Sequence, residues 1–185
     1  MNAITTQQAA RSNVVLVGWN SPPVGWVRLN TDGSCRDGDH IGCGGIIRGS
    51  GWNFSKYIGI GSAYVAELWE VLEGLMYVRM MQFQFIELHV DSLVVVQAIS
   101  SHGHGSWKGK ALVEKIRRLL AFDWKVVVHH SYREVNQCAD ALANYGCSMG
   151  LGICFFDACP SSIRNLLFFD LLGNTIPRAE NGFEN

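Results

Sequence analysis

The chain has 185 residues, of which 48% are hydrophobic and 17% charged, and its formal net charge is -1. That length suits one domain with modest extensions, and the apolar fraction can fill a core without disulfide support. A charge so near zero excludes bulk attraction to a polyanion, so nucleic-acid binding would have to come from local basic clusters and bound cations.

Residues 1–20 show no sustained period and no apolar signal core, and Ser21-Pro22-Pro23 reads as a linker. Residues 1–24 are therefore taken as an extension, 25–149 as the domain and 150–185 as an accessory tail. From Trp26 to Asp32, apolar Val27 and Leu29 alternate with Arg28, Asn30 and Asp32, the signature of a strand. Asp37-Gly38-Asp39 marks a turn. Ile41 to Arg48 and Trp52 to Ile60 are strand-like runs joined by Gly49-Ser50-Gly51, a spacing suited to a hairpin. The period then changes: Leu68, Val71, Leu72, Leu75 and Val78 predict an amphipathic helix over Ala66 to Met81. Phe85 to Val90 alternates again, and Ser92 is a credible N-cap for a helix over Leu93 to Ile99, although the valines there favour extended backbone. Leu112, Ile116, Leu119 and Leu120 make a further helix, Trp124 to Tyr132 a strand, and Asn136 caps a last helix reaching about Cys147. In the tail Ile153, Phe155, Leu166, Phe168 and Leu171 can pack.

This order implies an α/β fold with a five-stranded mixed sheet, three antiparallel strands followed by two parallel ones, flanked by helices. Cys35, Cys43, Cys138, Cys147, Cys154 and Cys159 lack CxxC spacing and read as reduced thiols. No run reaches the ~20 apolar residues of a membrane span. A soluble intracellular monomer with no membrane partner is expected, its compartment unspecified.

Four acids sit where strands end or helices begin: Asp32, Glu67 opening its helix, Asp91 and Asp140. Taken singly, each also fits a turn, a helix terminus or a surface position. Ligands assemble at the carboxyl ends of strands in open α/β sheets, and the crossovers would make Asp32 and Asp91 neighbours. Crowded carboxylates repel unless neutralised, and Mg²⁺ answers that need while keeping part of its shell for phosphate oxygens. Two ions roughly 4 Å apart would activate a water and stabilise the leaving oxygen of a phosphodiester.

The segments Asn30-Thr31-Asp32-Gly33-Ser34, Ala66-Glu67-Leu68, His89-Val90-Asp91-Ser92 and Ala139-Asp140-Ala141-Leu142-Ala143 resemble, in order and spacing, the four-carboxylate signature of the ribonuclease H family. The likeness spans Trp26 to Cys147 and is greatest to the reverse-transcriptase-like domains of plant genomes, which often open as Trp19, Pro22, Pro23, Gly25 and Trp26 do here. It implies that Asp32, Glu67, Asp91 and Asp140 hold two Mg²⁺ ions, or Mn²⁺, and that the substrate is an RNA–DNA hybrid cut in its RNA strand. His130 matches the family's assisting histidine, and an imidazole can move protons near neutral pH. Alternation turns the neighbouring His129 to the opposite face.

Gly33, Ser34 and Ser92 lie beside the acids, where amides and hydroxyls can meet RNA 2′-hydroxyls. Arg133 and Asn136 match polar positions of the family's last loop, although Asn136 also fits a helix cap. Lys108, Lys110, Lys115, Arg117 and Arg118, with Trp107, could track phosphates; the same run fits a solvated helix face. His102 and His104 lack a nearby cysteine pair, so zinc is not expected there. Ala63 and Tyr64 replace the asparagines of the bacterial family pattern, and the basic protrusion around Ser101 to Lys110 is shortened. A second reading therefore stays open: a retroelement-derived nucleic-acid-binding or protein-interaction module that cleaves little.

Overall fold

The computed structural model describes residues 13–101, 108–161 and 163–180. Its first strand, β1 (Asn13–Gly18), falls in the stretch that shows no sequence period. Val14 and Leu16 are exposed while Val17 is buried, so this strand owes its extended backbone to a partner rather than to a patterned core face. That partner is β8 (Thr175–Glu180), from the far end of the chain, paired antiparallel with it.

The main sheet begins with β2 (Val27–Arg36), which runs four residues beyond the expected end at Asp32. Its extra length pairs with β3 (His40–Arg48) across a 3-10 turn at Asp37–Asp39, where Gly38 takes φ 74°. β4 (Trp52–Ile60) completes the antiparallel meander. β5 (Phe85–Val90) and β6 (Lys125–His130) pair in parallel, β5 against β2 and β6 against β5. The five expected strands are joined by a sixth, β7 (Gly152–Phe156), antiparallel on the free edge of β4. The order is β6-β5-β2-β3-β4-β7.

Helices cover both faces. α1 (Ala63–Met80), α2 (Leu93–Ser100) and α3 (Lys110–Leu120) share the larger core with Leu29, Phe54, Ile86 and Leu88. In α2, Val95, Ala98 and Ile99 point inward while Leu93, Val94 and Gln97 face out, so helical periodicity prevails over the extended preference of its valines. On the other face α4 (Gln137–Ser148) lies across β2, β3 and β4. It can approach so closely because of glycine: a Cβ on Gly44 would stand 2.4 Å from the Ala143 nitrogen. α5 (Arg164–Leu171) follows β7, and a smaller core of Ile46, Cys138, Leu142 and Ile163 forms beneath it. The tail is thus anchored by Ile163, whereas Phe168 and Leu171, expected to pack, are largely exposed. Among the described residues no helix is long and apolar enough to cross a membrane.

Candidate active site

The last parallel pairs in the sheet are Thr31 with Val90 and Val90 with His130. Asp32 and Asp91 therefore follow side by side where the parallel pairing ends, with His130 one position short of them on β6, at the carboxyl edge expected of an open sheet site. Asp140, one turn into α4, completes a pocket of about 200 Å³ lined by Asp32, Asp91, Arg133, Gln137 and Asp140. α1 starts three residues earlier than its apolar period suggested, so Glu67 lies in its second turn and does not open it. Glu67 stands beside the pocket, within the influence of Asp91, Arg133 and the Ser92 hydroxyl.

A tight backbone contact sets the spacing of Asp32 and Glu67. A Cβ on Gly33 would lie 2.5 Å from the Ala66 carbonyl carbon and 2.5 Å from the Glu67 nitrogen. Strand and helix can meet this closely only without a side chain at 33. Both neighbouring acids inherit their proximity from that contact.

The electrostatics follow from the crowding. Burial, then the charges of Asp91 and Asp140, raise the Asp32 carboxyl from the ordinary 3.8 to about 8. Burial also raises Glu67 and Asp91, and for Asp91 the Arg133 guanidinium pulls the other way. That guanidinium donates from Nε to Asp91 Oδ2 at 3.3 Å, although 83% of the Arg133 side chain is exposed. It supplies part of the missing positive charge from outside.

Several acids held together, with Asp32 driven to keep its proton, make a donor set of the hard oxygen type that Mg²⁺ prefers. Among the described residues no three His, Cys, Asp or Glu side chains are disposed to hold a metal ion. The fit to Mg²⁺ is one of donor chemistry and charge.

His130 is exposed, and its Nε2 lies 3.1 Å from the Asp91 carbonyl oxygen. A carbonyl only accepts, so Nε2 carries the hydrogen and Nδ1 is the basic atom. His129 turns to the opposite face and stacks on His89 at 4.9 Å, as alternation requires. Burial foremost, then Arg28 and His129, lower the His89 ring to about 3, so it is neutral at physiological pH.

Several expected substrate contacts have partners within the protein. Asn136 is 1% exposed, accepts from Asn30 Nδ2 at 3.2 Å and donates to the Thr31 carbonyl at 2.8 Å. It ties the last loop to β2 and makes no side-chain cap bond to α4. The Ser34 hydroxyl is committed to Asn144 Oδ1 at 2.8 Å. Ser92 occupies the N-cap position of α2, but its side chain serves Glu67 and not the helix amides. Lys108 and Lys110 are exposed on either side of Gly109, whose φ of 92° seats it against Leu68 and Tyr64 of α1. The basic run thus starts beside the turn that carries Glu67. His102, His104 and Trp107 lie outside the described residues.

Two residues escaped the sequence reading. Gln137 lines the pocket. Glu70, one turn beyond Glu67, is fully buried with neither carboxylate oxygen partnered, and burial first, then Asp32, Asp91 and Glu67, push it well above the usual carboxylate range. It is a buried acid behind the acidic row. Its place in a run of α1 core positions hid it.

The fold and this carboxyl-edge site define a ribonuclease H-like domain. Residues 30–146 match the family model described as Reverse transcriptase-like, and the chain belongs to that family. It is 41% identical over 168 residues to an Arabidopsis thaliana protein whose name marks it provisionally as a ribonuclease H protein, covering 88% of the chain and 27% of that relative. The chain thus spans about a quarter of the relative's length. Among solved structures, ribonuclease H1 of the archaeon Halobacterium salinarum aligns with a TM-score of 0.61 and 26% identity over 67% of this chain and 98% of that one. A compost-derived ribonuclease H1 in complex with an RNA/DNA hybrid aligns at 0.59 with 23% identity, covering 66% and 96%. The foamy viral protease-reverse transcriptase in complex with an RNA/DNA hybrid aligns at 0.53 with 16% identity, covering 79% and 22%.

Proposed function

We propose that this domain is an endoribonuclease that cuts the RNA strand of an RNA–DNA hybrid. The observation that carries the reading is the convergence of Asp32, Asp91 and Asp140 on one pocket, with Glu67 alongside, at an electrostatic cost large enough to hold a proton on Asp32. In this reading Asp32, Glu67, Asp91 and Asp140 hold two Mg²⁺ ions, with Mn²⁺ as a substitute. When bound, such ions supply charge neutralisation and a water acidic enough to ionise near neutral pH.

The chain's own groups do the rest. Arg133, mostly exposed and tethered to Asp91 by one bond, is free to turn toward an incoming phosphate, where a guanidinium binds well. His130, oriented by its Nε2 bond to the Asp91 carbonyl, presents Nδ1 to accept a proton from the attacking water. The water oxygen bonds to phosphorus as the bond to O3′ breaks, and O3′ takes a proton from solvent. The products are a 3′-hydroxyl and a 5′-phosphate. Lys108, Lys110 and the exposed Lys115 and Arg118 of α3 extend a cationic surface from the site for the rest of the duplex.

Labelled hybrid incubated with the protein and Mg²⁺, or with a chelator, tests the reading. Cleavage confined to the first tube is expected, and Asp91→Asn should lower it by more than about 100-fold with little change in melting temperature, since it deletes a ligand charge at constant volume. Intact hybrid in both tubes from folded protein would instead assign a binding module.

A further inference from the structure

The first and last described strands pair outside the family-matched residues. β1 and β8 form a two-stranded sheet of their own, with Val15 opposite Arg178. Such a ribbon is at best marginal alone in water, so it depends on what it touches. Both of its strands touch the 3-10 turn Arg133–Val135, which lies between His130 and α4.

Arg178 makes the joint. Its Nη1 donates to both carboxylate oxygens of Glu134, at 3.3 and 3.0 Å, and its guanidinium carbon lies 3.9 Å from the centre of the Tyr132 ring. Tyr132 in turn meets the His130 ring edge to face, 5.9 Å between centres at 83°. The contacts therefore run from Arg178 through Tyr132 to His130, which is bonded to the Asp91 carbonyl. Apolar packing offers no substitute: the turn buries none of its own residues, and Tyr132 and His130 are exposed.

We propose that the β1–β8 ribbon braces the active-site turn, with Arg178 as a positioning residue that fixes Tyr132 and, through it, the His130 ring. This rests on the nuclease reading of the site. A loosened ring spends less time with Nδ1 toward the water, and small misplacements of a reacting group are costly. The brace therefore acts on the chemical step and leaves hybrid binding alone.

The test compares wild type, Arg178→Ala and Arg178→Lys in the full chain. Its first readout is the His130 ring resonance in a carbon–proton correlation spectrum, which needs no activity. Removing Arg178 should shift and broaden that signal as the Tyr132 ring loses its fixed orientation. The second readout is hybrid cleavage: Arg178→Ala should lower kcat on the order of tenfold with KM within about twofold, and Arg178→Lys, which keeps a cation for Glu134, should recover part of the loss. An unmoved His130 signal overturns the proposal. So does a loss confined to KM, which would make Arg178 a phosphate contact, or a loss that only tracks a lowered melting temperature. If wild type cleaves nothing, the function assigned to the site fails, while the spectrum still decides whether the brace exists.

Discussion

Asp32 is the residue at which the electrostatic cost of the site is concentrated. Its folded carboxyl holds a proton up to about pH 8, whereas an unfolded one releases it near 3.8. The folded state therefore binds more protons across that window, and its stability is full below about pH 4 and falls as pH rises toward 8. Denaturant unfolding of metal-free protein should show this decline, and saturating Mg²⁺ should flatten it. Asp32→Asn should make the slope shallower and raise stability at pH 8 by a few kcal/mol at most, while Glu67, Asp91 and the buried Glu70, whose carboxyls are also raised, keep part of the decline. A metal-free profile that rises from pH 5 to 8 would contradict this account. The four acids stood out in the sequence because each sits in a short motif near the junction of a strand or helix with its neighbour, although β2 runs on past Asp32 and α1 begins before Glu67. The bond of Asn136 to Asn30, 106 positions away, was not legible because no local pattern reports that pairing. Glu70 was invisible for a related reason: a charged residue on an apolar helical face reads as a surface position until burial is known.

Between elements, the meeting of β2 with α1 at Gly33 is the contact that most directly shapes the site. Gly33→Ala would place a methyl group 2.5 Å from backbone atoms that have no rotamer to escape into. Strand and helix would have to separate, at a cost of about 1–3 kcal/mol in thermal unfolding. Asp32 and Glu67 ride on the two separated pieces, so hybrid cleavage should fall further than the lost stability explains. Cleavage that survives at the wild-type rate in the alanine variant would show that their spacing tolerates this shift. Elements with a clear period appear in the structure within a few residues of the positions expected, including α2, where the valines argued otherwise. β1 has no alternation because only Val17 is buried, and its pairing partner lies more than 150 residues away. β7 was read as tail because Ile153 and Phe155 stay partly exposed on an edge strand, which resembles loose packing as much as strand.

For the molecule as a whole, the smaller core binds the tail to the main sheet. Arg48, 4% exposed at the end of β3, pairs with Asp170 of α5 at 2.5 Å and lies under the Trp19 ring at 5.0 Å. Its Nε and Nη1 have no partner, so Asp170 carries nearly all of the compensation for a buried charge. Asp170→Ala should cost about 3 kcal/mol or more in urea unfolding, since it strands the guanidinium. Asp170→Ala with Arg48→Met should recover much of that loss, because an apolar chain of similar reach needs no counter-charge. A single variant as stable as wild type would show that water already reaches Arg48. The antiparallel ribbon has one more consequence, a mechanical one. Asn13 and Glu180 are direct partners across β1 and β8, so a pull on either strand is shared with the other through the ribbon's backbone bonds. Because that ribbon is separate from the main sheet and both of its strands touch the Arg133–Val135 turn, such a load would be felt at the turn.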